Sequence, residues 1–162
     1  MDTATLGVIA EVVGSVAIIV SLFYLASQIR QNTRSTRSAT YQSIVSHAAT
    51  GAWEIIRNPD LTELLMRGAT NVGDLKDGEQ IRFSLLMSSW LRHYDNVYYH
   101  YRTGLVDRSQ WEGFEFYLST LVTAPGTMDW WEKHSQAFSP EFRTLVAGLM
   151  SKGAGGIDAD AV

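Results

Sequence analysis

The distribution of hydrophobic residues divides the chain into one long apolar run and a mixture of polar and apolar positions. Residues 6–27 read LGVIAEVVGSVAIIVSLFYLAS, in which Glu11 is the only charged side chain. At the rise of an α-helix this run extends about 33 Å, close to the thickness of the hydrocarbon layer of a bilayer. The pattern therefore predicts a transmembrane helix over residues 6–27, preceded by a short external leader, residues 1–5.

A cleavable signal peptide and a buried soluble helix are the alternatives to a membrane anchor. Signal peptides normally begin with basic residues and end at a site of small residues. Here the leader carries Asp2 and no Lys or Arg, and residues 24–27, YLAS, make a poor cleavage site. A buried helix of a soluble protein is usually shorter and has a polar face. We therefore favour the anchor.

The segment after the apolar run, residues 28–40, is polar on nearly all sides and predicts a stem at the membrane surface. It carries Arg30, Arg34 and Arg37, whereas no basic residue precedes the run. Basic residues concentrate on the cytoplasmic side of membrane spans. The expected topology places the N-terminus outside and the C-terminal domain in the cytoplasm.

From residue 41 onward, apolar residues recur three and four positions apart, and no segment alternates as a strand does. The fold class predicted is all-α: a transmembrane helix continuing into a stem, followed by a small helical bundle, residues 41–152. Proline, glycine and capping residues divide this bundle. The predicted helices after the first cover residues 60–68, 77–103, about 107 or 109 to 123, 129–132 and 140–150. A loop is predicted over residues 69–78 and a disordered tail over residues 153–162.

Helical spacing also selects the residues expected to face the core. In the first helix of the bundle the stripe is Tyr41, Ile44, Val45, Ala48, Ala52, Ile55 and Ile56. In the next long helix it is Phe83, Leu86, Met87, Trp90, Tyr94, Val97 and Tyr101. In the helix that follows it is Trp111, Phe114, Tyr117, Leu118 and Leu121.

Small residues form a continuous stripe along the predicted membrane helix, at spacings of three and four. The members of this stripe are Gly7, Ala10, Gly14, Ala17 and Ser21. Membrane helices associate where small residues let their backbones approach. Such residues are also common in spans that have no partner, but we favour self-association into a homo-oligomer.

Glu11 flanks this stripe inside the apolar run. An ionisable side chain at membrane depth is costly unless it is protonated, paired or hydrated. Three interpretations remain open: a neutral acid that hydrogen-bonds across a helix interface, a carboxylate that reaches the outer headgroups, and a ring of carboxylates lining a cation path.

The composition of the chain limits the classes of molecule that it is expected to bind. The chain contains no cysteine, which is compatible with any compartment. From residue 58 onward, nine basic and fourteen acidic side chains give a net charge of −5. Because this part has no basic surface, nucleic-acid binding is not expected.

Several short segments resemble a widespread group of uncharacterised bacterial membrane proteins. The group has one N-terminal span, a Gln-x-Arg-x-Asn-Thr juxtamembrane motif and a helical cytoplasmic domain. The segments that carry the resemblance are YLASQIRQNT (24–33), NPDL (58–61), YYHYRTGL (98–105), WW (130–131) and FSPEF (138–142). The resemblance implies this architecture, a bacterial origin and the inner membrane, but no activity.

The juxtamembrane motif places hydrogen-bonding groups where the helix leaves the hydrocarbon. We interpret these residues as a collar that binds lipid headgroups or neighbouring subunits. The collar comprises Gln28, Arg30, Asn32, Thr33, Arg34 and Arg37.

Candidates for catalysis or metal binding are few. His93 and His100 lie two helical turns apart, but a metal ion would need further ligands that the spacing does not supply. We expect these two, like His47 and His134, to be structural histidines, partly buried and hydrogen-bonded. No cofactor, metal or catalytic residue is predicted.

Two further hypotheses concern the bundle. Arg92 and Asp95, three residues apart, are expected to pair with each other or with Arg102. The many aromatic residues are expected to pack in the core, with a ligand pocket or partner groove as the alternative. Trp130 and Trp131 have a second alternative, insertion into the membrane surface.

Three function classes follow. The first is a membrane-anchored interaction or scaffold module that binds itself or a cytoplasmic protein. The second is a homo-oligomeric cation pore or transport accessory with Glu11 lining the axis. The third, an enzyme, is the least favoured because no catalytic constellation is present.

Overall fold

The chain is predominantly helical in the part that the structure describes. The computed structural model describes residues 2–156, and for residues 5, 6, 9, 10 and 154–156 it describes the backbone alone. No strand occurs in residues 2–156, so the predicted all-α class is confirmed. The helices are α1 (Thr3–Arg57), α2 (Pro59–Thr70), α3 (Asp77–Arg102), α4 (Arg108–Val122), α5 (Pro125–His134) and α6 (Pro140–Gly156). Single 3-10 turns cover Val72–Asp74 and Ser135–Ala137.

The chain divides between Thr40 and Tyr41 into two compact units. In the first unit, residues from Thr3 onward are helical, and the described side chains are exposed up to Ala39. Its hydroxyl groups are satisfied within the helix: Ser15 Oγ donates to the Glu11 carbonyl and Ser21 Oγ to the Ala17 carbonyl, each at 2.8 Å. An 18-residue stretch of α1 has a mean hydropathy of 2.0, and none of it is buried. By length and composition this helix can cross a membrane.

The second unit, from Tyr41 onward, is called the helical domain below. It contains the last part of α1 and helices α2 to α6. Its core is a single cluster built mainly from α3, α4 and α6, with α2 and α5 packed on one another. The largest side chains with almost no exposed surface are Phe83, Met87, Leu91, Leu118 and Phe142.

Side chains cap the helices where the sequence predicts. Asn58 Oδ1 accepts a hydrogen bond from Leu61 N at 3.2 Å, and Pro59 occupies the first position of α2. Of the two starts predicted for α4, residues 107 and 109, the structure selects the first: Asp107 caps the helix and accepts a hydrogen bond from Gln110 N at 2.9 Å. Gly104, at φ 76°, follows the end of α3 in a backbone conformation that glycine adopts readily.

Two helix boundaries differ from the prediction. The sequence predicts that Gly68 ends α2, but the helix continues to Thr70. Gly68 is instead a packing position, since a β-carbon there would overlap the ring of Phe83. Similarly, α5 begins at Pro125 rather than near residue 129, since proline suits the first turn of a helix.

The last helix is also longer than predicted. α6 continues past Met150 to Gly156, so residues 153–156 of the predicted disordered tail are helical. Gly153 lies against Thr123, the residue that follows α4, and this close packing outweighs the poor helix propensity of glycine. Residues 157–162 of the predicted tail lie outside the described residues.

The predicted core is partly wrong in two helices. Of the stripe at the end of α1, Ile44 is buried, while Val45, Ile56 and the neighbouring Trp53 are exposed. In α4 Tyr117 is 67% exposed, although Trp111 and Leu118 face the core as predicted. Both faces remain uncovered because no further helix packs over them within the described part of the domain.

An ion pair joins α2 to the start of α3. Arg67 donates two hydrogen bonds to the Glu79 carboxylate, at 3.1 and 3.0 Å, and a third to the Asp74 carbonyl at 3.0 Å. Glu79 also accepts a hydrogen bond from the backbone Lys76 N at 2.9 Å, and this bond caps the N-terminus of α3. The Arg67 hydrogen bonds, followed by the Lys76 bond, lower the pKa of Glu79 below its usual value of 4.5.

Glu79→Gln is expected to make the stability of the helical domain less dependent on acid pH. A carboxylate with a lowered pKa in the folded state stabilises above its unfolded pKa, and this contribution is lost as the pH falls through the folded value. The urea midpoint should therefore drop at pH 7, and the gap to wild type should close as the pH falls below about 4.5. Glu132→Gln, at an exposed glutamate of α5, is the control. A gap independent of pH would contradict the prediction.

Candidate functional site

The helical domain contains a concave surface with a largely apolar lining, a groove of about 480 Å³. The end of α1 together with α3 and α4 supplies most of its lining. The lining residues are Ala48, Ala52, Ile55 and Ile56 of α1, Leu65 of α2, Trp90, His93 and Tyr94 of α3, and Tyr117, Thr120 and Leu121 of α4. Its volume falls in the range of small-molecule sites.

Local sequence explains why this space is open. Ala48 and Ala52 lie one turn apart on α1, where a larger side chain would fill the space between α1 and α3. Trp90 and Tyr94, with the same spacing on α3, supply aromatic side chains to the lining. The alanine pair was predicted to be part of the core stripe, whereas in the structure both residues are exposed and line the groove.

One polar atom beside the groove lacks a partner. His93 Nε2 is covered, and it forms no hydrogen bond with the described residues. Burial, and secondarily the charge of His47, lowers the pKa of His93 below 6.5. The imidazole is therefore neutral at pH 7. Burial likewise raises the pKa of Tyr94 above its usual value of 10, so the phenol is uncharged.

The other histidines do not assemble a metal site. His100 Nδ1 is buried without a partner, whereas exposed His47 and His134 bond to backbone carbonyls one turn earlier, Ser43 O at 2.8 Å and Trp130 O at 2.7 Å. Within the part of the chain that is described, no three metal-ligating side chains come together. The prediction of hydrogen-bonded histidines is therefore wrong for the buried ring nitrogens of His93 and His100.

The expected pairing of Arg92 with Asp95 is also wrong. Asp95 accepts hydrogen bonds from Ser139 Oγ at 2.6 Å and from Ser139 N at 3.2 Å, which holds the start of α6. Arg92 lies over the ring of Phe138, at 5.5 Å, and Arg102 pairs with Glu141 at 3.2 Å. Residues distant in sequence therefore satisfy these charges, and spacing along α3 contained no signal for them.

The tryptophan pair belongs to the core. Trp130 and Trp131 are 3% and 6% exposed, and Trp130 Nε1 donates to Ser84 Oγ at 2.8 Å. Insertion of these side chains into a membrane surface would require unfolding of the domain, so that alternative is wrong.

The residues predicted to act at the membrane lie in the first unit. Glu11, Gly7, Gly14, Ala17 and Ser21 are exposed, while the side chain of Ala10 lies outside the described part. Around each of Gly7 and Gly14, a β-carbon would meet no atom within 4 Å. The collar residues Gln28, Arg30, Asn32, Arg34 and Arg37 are exposed as well, and Thr33 Oγ1 donates to the Ile29 carbonyl at 2.9 Å.

Comparison with known proteins identifies no family or relative for the chain. No protein-family model, no curated protein and no solved structure matches the chain. The fold and site therefore define an all-α protein with one long apolar helix and a grooved helical domain.

Proposed function

We propose that the chain is a single-pass membrane protein in which α1 anchors the helical domain as an interaction or scaffold module. The observation that carries the proposal is the apolar stretch of α1, with a mean hydropathy of 2.0 and no part buried. Leaving this much apolar surface in water costs about 25 cal/mol per Å² relative to burying it. A bilayer removes that cost without any further protein element.

The orientation proposed for the anchor follows from charge. Arg30, Arg34 and Arg37 are exposed on the C-terminal side of the apolar stretch, where they can bind anionic headgroups. This supports a cytoplasmic helical domain at the bacterial inner membrane, in agreement with the architecture that the resemblance implies. Gln28 and Asn32 would extend the collar on the same side.

Exposed apolar side chains on the helical domain support an interaction role. Ile81 and Leu85 lie one turn apart on α3 and are 63% and 66% exposed. Trp53 and Ile56 near the end of α1 are also exposed. Uncovered apolar surface of this kind is typical of sites that bind another protein. The partner is either a second copy of this chain or another cytoplasmic protein.

Self-association through the membrane helix is the second part of the proposal. The open space at Gly7 and Gly14 permits a neighbouring backbone to approach closely. Because the hydroxyls of Ser15 and Ser21 are satisfied within their own helix, they need no lipid or water partner.

Cysteine crosslinking in native membranes tests both parts, since the natural chain contains no cysteine. Single cysteines at Gly14 and Ala17 are expected to form disulfide dimers, and those at Val12 and Ile19, on other faces of the helix, should form few. The chain should remain in the membrane pellet after alkaline extraction. Recovery in the soluble fraction would refute the anchor, and equal crosslinking at all four positions would refute the small-residue interface.

Glu11 supports a second candidate, a homo-oligomeric cation pore or transport accessory. Its exposed carboxylate forms no ion pair within the described chain, and membrane helices bring such groups to a shared polar axis. This candidate additionally requires cation flux in liposomes that disappears in Glu11→Gln. Flux that is absent, or unchanged by the substitution, would leave only the interaction module.

A further inference from the structure

We infer that the groove of the helical domain is a binding site for a neutral ring compound, phenol-like or quinone-like, that carries a hydroxyl or carbonyl oxygen. The inference concerns residues from Ala48 to Leu121 and holds whether or not α1 is a membrane anchor. Three properties of the groove carry it: its size, its lack of charge and its unpartnered imidazole nitrogen.

Size and shape favour a ring system. The groove encloses about 480 Å³, enough for a compound of one to a few rings. Trp90 and Tyr94 of α3 and Tyr117 of α4 all line the groove, so an occupant meets aromatic rings. Aromatic rings pack favourably in offset or edge-to-face contacts. The alanines of α1 leave the space that such a ring would fill.

The lack of charged side chains in the lining argues against charged metabolites as occupants of the groove. Among the residues that the structure describes, no Lys, Arg, Asp or Glu lines the groove, and burial keeps the His93 imidazole and the Tyr94 phenol neutral. A carboxylate, phosphate or ammonium group would lose its hydration there without gaining an opposite charge. The complementary occupant is therefore uncharged.

His93 specifies one polar group expected on the occupant, and the hydroxyl groups of Tyr94, Tyr117 and Thr120 add further polar atoms to the lining. Its Nε2 is buried and unpartnered, which is unfavourable in the empty domain. Turning the imidazole into the groove would give Nε2 a partner on the ligand. A neutral imidazole nitrogen accepts a hydrogen bond from a hydroxyl or donates one to a carbonyl, according to its tautomer. One oxygen on the ring compound therefore satisfies His93 Nε2.

Photolabelling of the full-length chain tests the site with two defined probes. The probes are a trifluoromethyl phenyldiazirine and its para-hydroxyl analogue, which differ only in the oxygen. In wild type, mass spectrometry is expected to locate adducts of both on groove residues. The hydroxyl analogue should label about five- to tenfold more efficiently at subsaturating concentration, as expected for one additional hydrogen bond.

Two pairs of variants make the test specific. Ala52→Trp fills the groove and should abolish groove adducts, whereas Ala49→Trp, at an exposed residue of α1 outside the lining, should retain them. His93→Leu should retain adducts but lose the preference for the hydroxyl analogue. His100→Leu, which also removes an unpartnered buried nitrogen but lies outside the groove, should keep that preference.

Each contrary result overturns the inference. Groove adducts that persist in Ala52→Trp would show that the probes do not occupy this space. A preference that survives in His93→Leu would show that the imidazole does not bind the oxygen. If Ala52→Trp does not fold by near-UV circular dichroism, the two histidine variants decide alone, because replacing an unsatisfied imidazole with leucine suits a buried apolar position.

Discussion

Replacing Phe142 with alanine is expected to lower the free energy of unfolding of the helical domain by about 3–5 kcal/mol. Phe142 has no exposed surface, and its ring lies 5.9 Å from Phe138, 6.0 Å from Trp131 and 6.4 Å from Tyr98, measured between ring centroids. It thereby joins α6 to α3, α5 and the turn before α6. Alanine would remove these contacts and leave a cavity that rigid neighbouring rings cannot refill.

Phe116→Ala is the matched control, since Phe116 is the same residue type and is 66% exposed on α4. Its expected effect is within about 0.5 kcal/mol. Urea unfolding of the full-length chain in detergent, followed by near-UV circular dichroism, measures both, because this signal reports on the tryptophans of the domain rather than on helix content. Equal losses in the two variants would contradict the position of Phe142 at the centre of the aromatic core.

Gly126→Ala is expected to destabilise the domain by about 3 kcal/mol, although alanine is normally the better helix former. At Gly126, in the first turn of α5, a β-carbon would overlap the carbonyl oxygen of Gly68 on α2. The two helices therefore meet backbone to backbone. A backbone carbonyl cannot rotate away as a flexible side chain would, so the added methyl group must separate α2 from α5 and open the packing around Phe83.

Gly113→Ala is the matched control, and it is expected to stabilise the same domain. Gly113 lies inside α4, and a β-carbon there would meet no atom within 4 Å. The substitution should raise the free energy of unfolding by about 0.5–1 kcal/mol through helix propensity alone. Thermal and urea unfolding of both variants give the comparison. If Gly126→Ala were as stable as wild type, the close crossing of α2 and α5 would be disproved.

Residue types close together in the chain were sufficient to predict the helices. The apolar run, Asn58 before Pro59, Asp107 with Gln110, and Gly104 after α3 act through groups within about one helical turn. Capping hydrogen bonds and the steric restrictions of proline and glycine involve only residues that are close in sequence. The local sequence is therefore enough to predict them. The all-α class and most helix ends follow from these signals.

Whether the residues on a helix face are buried, exposed or paired depends on neighbours that are distant in sequence. Gly68, a helix end by its pattern, is a packing position because Phe83 and α5 approach it, and Asp95 holds Ser139 across the domain instead of pairing with Arg92. The groove beside His93 likewise exists only because α1, α3 and α4 converge around two alanines. Helical spacing specifies which residues share a face, but burial and empty space depend on how helices pack, and packing is a property of the assembled domain.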